Sequence, residues 1–189
     1  MKNDKRYKLK TAPDFEAVPF TEVKANLNIL HSEKDSEIQS ITKAVIKEVQ
    51  NRIGRQLALA HWYMYLDGFP VGDEIEIEKG PVSGITAVRY WAPGASSYTE
   101  LSSDSYQLDN TELSARFRFF DTLNTDQNRM NTVEIEFTTG WGASGAIPED
   151  LHDAVVLIAS ERFLNPENPQ RTKVTRADAL LRNYTVHRW

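Results

Sequence analysis

A hydrolytic pair of carboxylates is the first chemistry to look for, and Asp67 in HWYMYLDGFP (61–70) is the residue around which one could form. Glu74 and His61 are its candidate partners, as a second carboxylate or a general base. Asp67 is followed by Gly68, however, and this dipeptide after an extended aromatic run is a turn signal that needs no catalytic explanation. The acids Glu74, Glu76 and Glu78 alternate in EIEIE and so share one strand face, as metal ligands sometimes do. With Ile75 and Ile77 pointing the other way, a solvated face over an apolar one explains them better. His31, His61, His152 and His187 fall in four separate segments and never at a metal-binding spacing. GWGASGAIP (140–148) is glycine-rich ahead of a helix, yet it lacks the lysine and spacing of a phosphate-cradling loop. No G-x-S-x-G elbow is present. The absence of cysteine removes disulfides, thiolate nucleophiles and cysteine zinc sites together. The residues therefore point to no catalytic group, no metal and no cofactor, and the chain is not expected to be an enzyme.

Aromatic side chains offer a second kind of chemistry. Trp62, Tyr63 and Tyr65 could stack bases, but such platforms sit in basic grooves, whereas Asp67, Asp73 and Glu74 follow here. Trp62, Tyr65, Trp91 and Trp141 could also form a stacking surface for a carbohydrate or another ligand in a monomeric binding module, and this is the competing functional reading. Core packing or a protein interface accounts for the same residues more simply.

The elements that would hold these groups are legible from periodicity. FTEVKANLNIL (20–30) spaces Phe20, Val23, Leu27 and Leu30 by three and four, which predicts a short amphipathic helix. A stronger helix follows, with Ile38, Ile41, Val45, Val49 and Ile53 on one face, Asp35 or Ser36 as its cap and Gly54 as its stop. From Leu57 the period becomes two. Strands are expected at LALAHWYMYLD (57–67), EIEIE (74–78), ITAVRYW (85–91), SYQLD (105–109), RFRFF (116–120) and TVEIEF (132–137). Helix returns at IPEDLHDAVVLIASERFLN, with Pro148 in its first turn and Leu151, Val155, Ile158 and Leu164 on one face. Residues 165–175 form a polar linker, and RADALLRNYTVHRW ends the chain with a short helix and a basic, aromatic tail. The class is α+β, organised as an extended basic leader (1–18), a helical framework (19–56 and 147–164), a β-rich insert (57–146), and a linker with a C-terminal segment (165–189).

At 189 residues, 40% of them hydrophobic, the chain is long enough for one good core or two small ones. No apolar run is long enough to span a bilayer. The first ten residues are not followed by the apolar stretch of a secretory signal, so a cytoplasmic origin is expected. Residues 1–10 and 170–189 each carry +4 against a total of −5, which leaves −13 in the body between them. An acidic body repels a phosphate backbone, so sequence-independent DNA binding is not expected.

The ordered set VPFTEVKANLNI, DSEIQSITKAVIKEVQNRIGRQL, WYMYLDGFP with IEIEKGPVSGITAVRYW, VEIEFTTGWGASGAIPEDLHDAVVLIASERF and LLRNYTVHRW resembles the head-tail connector (head-completion or adaptor) proteins of long-tailed phages, in a larger form with a β insert. The resemblance runs from about residue 18 to the end. It implies a structural virion protein made in the host cytoplasm and located in the neck, where it forms a ring beneath the portal and extends the DNA channel. The implied partners are the portal protein, the next tail-proximal protein and other copies of itself, in a ring of about twelve to match the portal. DNA would pass without specific binding, and no membrane is involved. It also implies portal docking at the C-terminal end, through Arg176, Leu180, Leu181, Arg182, Tyr184, Val186, Arg188 and Trp189. The apolar helix positions Ile38, Ile41, Val45, Val49, Val155 and Ile158 are the expected contacts between copies. Loops 93–100 and 121–131 are the expected tail-side tips.

Overall fold

A computed structural model of the chain describes residues 5–13, 16–70, 74–121, 123–142, 146–167 and 175–186. It has the α+β architecture expected, in two compact units. One contains residues 1–13 and 59–140, the other residues 14–58 and 141–189.

The helical unit is built from α1 (Phe20–Asn26), α2 (Asp35–Ile53), α3 (Glu149–Leu164) and α4 (Arg176–Arg182). Ile38, Val45, Val49 and Ile53 of α2 meet Leu151, Val155 and Ile158 of α3 in one apolar core, with Val23, Leu57, Ala177 and Leu181 closing it. Helix α1 stops at Asn26 instead of running to Leu30, because Asn28 adopts a left-handed backbone (φ 56°) that an α-helix cannot accommodate. Leu30 is consequently 97% exposed and not on the buried face. Helix α2 begins at Asp35 with Lys34 in the cap position and no side-chain cap, so neither Asp35 nor Ser36 serves as one. Asp35 and Glu37 instead place negative charge in the first turn, where the helix dipole favours it. Gly54, at φ 73°, ends the helix as anticipated. Pro148 sits just before α3 at its cap position, and Leu164, at the last turn, is 66% exposed.

The other unit is a sandwich of two antiparallel sheets. Strands β1 (Arg6–Thr11), β2 (Ala60–Leu66), β8 (Val133–Thr139), β4 (Val82–Tyr90) and β5 (Thr99–Glu100) form the larger sheet, in that spatial order. Strands β3 (Ile75–Ile77), β7 (Ala115–Phe119) and β6 (Tyr106–Asp109) form the smaller one. Met64, Leu66, Val88, Val133, Ile135 and Phe137 from the first sheet bury against Ile75, Ile77, Phe117 and Phe119 from the second, with Phe69 between. Alternation fixes this: in β7, Ala115, Phe117 and Phe119 are buried while Arg116 and Arg118 are exposed. Two strands lie outside the sequence expectations. Residues 6–11 of the basic leader pair with β2, and Thr99–Glu100 pair with β4. Leu57 and Ala58 belong to the helical core, so β2 starts at Ala60.

Candidate functional site

The alternation that buries Val133, Ile135 and Phe137 of β8 sends Glu134 and Glu136 to the opposite face of the larger sheet. That face is not solvated: Glu134 is 9% exposed and Glu136 3%. The cover comes from long side chains on neighbouring strands. Arg89 on β4 donates through one terminal nitrogen to Glu134 Oε1 (3.1 Å) and Glu136 Oε2 (3.0 Å). Lys10 on β1 donates from Nζ to Glu136 Oε1 (2.5 Å) and lies 5.4 Å from the centre of the Tyr63 ring. Register alignment sets the row Arg6, Tyr65, Glu134, Arg89 and Glu100 across all five strands, with Lys8, Tyr63, Glu136 and Ala87 in the next.

The electrostatics of this face hold it in one charge state. Burial pushes the Glu136 carboxyl up, but hydrogen bonds from Lys10 and Arg89 outweigh it and keep the group below the usual carboxylate range. Arg89 is raised, chiefly by its hydrogen bond to Glu136. Burial, then the Glu134 charge, pushes the Tyr65 hydroxyl up to about 12. The lowered Glu136 carboxyl and the raised Arg89 both favour the charged forms, so the face is an ion-paired brace across four strands.

Asp67 is a turn residue. Its Oδ1 accepts the Asn131 backbone N–H at 2.7 Å, and Arg6 pairs with its other oxygen. The Asn131 hydrogen bond, with help from Arg6, keeps its carboxyl below the ordinary value. Glu74 pairs instead with Arg116 (3.4 Å), and Glu78 with Lys5 (2.9 Å). His61 Nδ1 lies 3.0 Å from Thr138 Oγ1, and His152 Nε2 2.5 Å from Glu22. His187 lies outside the described residues. Among the described residues no group of three or more His, Asp or Glu is arranged to hold a metal ion, and no helix is long and apolar enough to cross a membrane. The four aromatics considered for ligand stacking have different surroundings. Trp62 joins the core side of β2 while Tyr65 faces the ion-paired side, Trp91 stacks on Tyr98 (4.8 Å), and Trp141 lies in the helical unit against Tyr184.

Of the positions expected between copies, Ile38, Val45, Val49, Val155 and Ile158 are at most 1% exposed in the chain's own core, and Ile41 is partly buried against it. The C-terminal segment is similarly engaged. Leu181 is buried in the same core, and Leu180 and Tyr184 pack against it. The Val186 N–H donates to the Ile53 carbonyl (3.0 Å), and Arg55 Nε donates to the Tyr184 carbonyl (2.8 Å). Arg176 and Arg182 remain exposed. Arg188 and Trp189 lie outside the described residues. Loops 93–100 and 121–131 both touch Trp91: Tyr98 packs on its ring (4.8 Å), the Asp126 N–H donates to its carbonyl (3.0 Å), and the Arg129 guanidinium sits 4.1 Å from its ring centre.

Sequence reasoning missed the ion-paired face. Its signal was the alternation RYKLKT (6–11), whose period of two matches that of VEIEF with opposite charge.

No family model matches the chain, and no curated protein does so at a significant level. Solved structures share its fold along nearly its whole length. A chain from the neck of an empty gene transfer agent particle, computed with C6 symmetry, superposes with a TM-score of 0.81 at 23% identity, covering 97% of each chain. One from the virion of a native gene transfer agent particle gives 0.80 at 24% identity, over 97% of this chain and 96% of that one. A third, from the neck of a native particle computed with C12 symmetry, gives 0.75 at 23% identity over 97% of each.

Proposed function

We propose that this chain is a structural neck protein of a phage-like particle, an adaptor that forms a ring beneath the portal and carries the DNA channel toward the tail. The observation that carries the reading is the whole-chain likeness. A neck protein of a gene transfer agent particle matches 97% of this chain, helical unit and sandwich together, with a TM-score of 0.81. A likeness confined to one of the two units would be weaker support, because folds host many functions. The sixfold and twelvefold symmetries of the neighbouring necks support a ring of this chain's own copies.

The charge distribution fits the role. A body of net −13 suits a channel past which DNA must slide without adhering. Docking to the portal falls to the C-terminal end, through the exposed Arg176 and Arg182 and the residues beyond Val186, including Arg188 and Trp189. Leu180, Leu181, Tyr184 and Val186 then serve to seat that end on the subunit. The loops braced by Trp91 and Arg129 offer an aromatic and arginine contact to the next tail-proximal protein. Deleting the gene from a genome that encodes the particle tests the reading: heads and tails should both accumulate and fail to join. Normal tailed particles from the deletion would refute it.

A further inference from the structure

We propose that the larger sheet continues from one copy of this chain into the next, the free edge of β1 in one copy pairing with the free edge of β5 in its neighbour. The inference rests on the neck reading for the existence of a ring, and on the sheet's own geometry for the surface that joins its members.

Strands β1 and β5 end the five-strand order, and no further strand flanks either one among the described residues. The β1 edge therefore leaves a row of backbone N–H and C=O groups open to another strand, and the two-residue β5 leaves a short one. Every neighbouring pair in the sheet is antiparallel. With five strands, β1 and β5 consequently run in the same direction, and copies repeated around an axis bring them together as a parallel pair. Such a contact uses two different surfaces of one chain, which is the geometry that closes rings.

Charge selects a second copy as the occupant. Lys8 on β1 is exposed and has no partner among the described residues. Glu100 on β5 has a side chain 68% exposed, touched only at 3.6 Å by Arg89 among the described ion pairs. Glu100 also ends the transverse row that starts at Arg6, so a cation from the next β1 would extend that row's pairing beyond Arg89 and Glu100. Leu9, opposite Trp62 on the core side of the sheet, is 42% exposed, so the β1 edge also leaves an apolar side chain uncovered. The two edges carry exposed charges of opposite sign, Lys8 on β1 and Glu100 on β5.

The natural absence of cysteine makes the test direct. The full chain carrying Leu9→Cys and Thr99→Cys, which leaves Lys8 and Glu100 intact, is treated with a short bismaleimide over a series of protein concentrations. A ladder of trimers and higher species is expected, several-fold above a control pair with cysteines at the exposed α2 positions Glu37 and Lys47. Each single-cysteine chain should stop at dimers. A double-cysteine chain that gives no more than the control overturns the edge pairing. In the cysteine-free chain, Lys8→Glu should weaken self-association in sedimentation, and adding Glu100→Lys should restore it. Loss without restoration also overturns the proposal. Rings seen by electron microscopy without the ladder would sink the edge pairing and leave the neck reading standing. A ladder from a chain whose deletion leaves tailed particles normal would do the reverse.

Discussion

In the helical unit the buried positions of α2 and α3 are aliphatic apart from Thr42 and Ser160. In the sandwich, the central strand β8 buries Val133, Ile135 and Phe137 on one side and Glu134 and Glu136 on the other. The first arrangement draws its stability from apolar area removed from water, which is insensitive to which neighbour supplies the cover. The second adds paired charges that are favourable only while every partner is in place. The difference teaches that the helices tolerate repacking of similar volume, whereas the outer face of the sheet tolerates almost no change of charge.

The largest effect should come from placing a charge where the helical unit has none. Val155→Asp is expected to cost about 4 kcal/mol or more and to remove most of the helical circular dichroism. A folded, helical Val155→Asp chain would contradict the core assignment. In the sandwich, Phe117→Ala deletes a fully buried ring packed between Phe119 and Tyr106. It should lower stability by about 3 to 5 kcal/mol in a denaturant titration. The contrast itself is sharpened by Glu136→Gln, which keeps shape and removes charge. It should cost about 2 kcal/mol because Lys10 and Arg89 lose their shared carboxylate, while Val49→Ile in α2 should stay within about 1.5 kcal/mol. Equal effects from these two changes would erase the distinction.

Acid offers a smaller probe of the helical unit. Asp178 caps α4 through the Thr175 N–H and pairs with Arg52. Burial opposes its ionisation, but the Thr175 and Arg52 contacts win and bring its carboxyl down to about 2. The folded value lies below the unfolded one, so this contribution is present in full above about pH 4 and is lost as pH falls toward 2, about 2 kcal/mol in all. Asp178→Asn should flatten the stability profile in that window. The smallest change expected is Gly54→Ala, at φ 73° with Val186 already 3.4 Å from the added carbon. It should cost about 1 kcal/mol.

How much of this was readable follows from sequence distance. The faces of α2 and α3 were legible because each helix repeats its apolar spacing locally, and six of the strands announced themselves by alternation. The stop of α1 was missed although it had a signal: Asn28, flanked by Leu27 and Ile29, is the residue type that most readily takes a left-handed backbone after glycine. β1 escaped because its charged residues look like a solvated leader until VEIEF, more than a hundred residues away, supplies the complementary acids: Lys10 and Glu136 are 126 residues apart. The burial of Ile38, Val45 and Val155 in the subunit's own core was not legible for a related reason. An apolar helix face states that something covers it, and not whether the cover belongs to the same chain.

The most direct test is a cryo-electron reconstruction of the neck of particles that carry this chain, processed without imposed symmetry. The account predicts a ring of its copies directly beneath the portal, both units resolved in every copy and the DNA path running through the centre. A neck in which that position is filled by another protein, with this chain absent or present as a single peripheral copy, would contradict it.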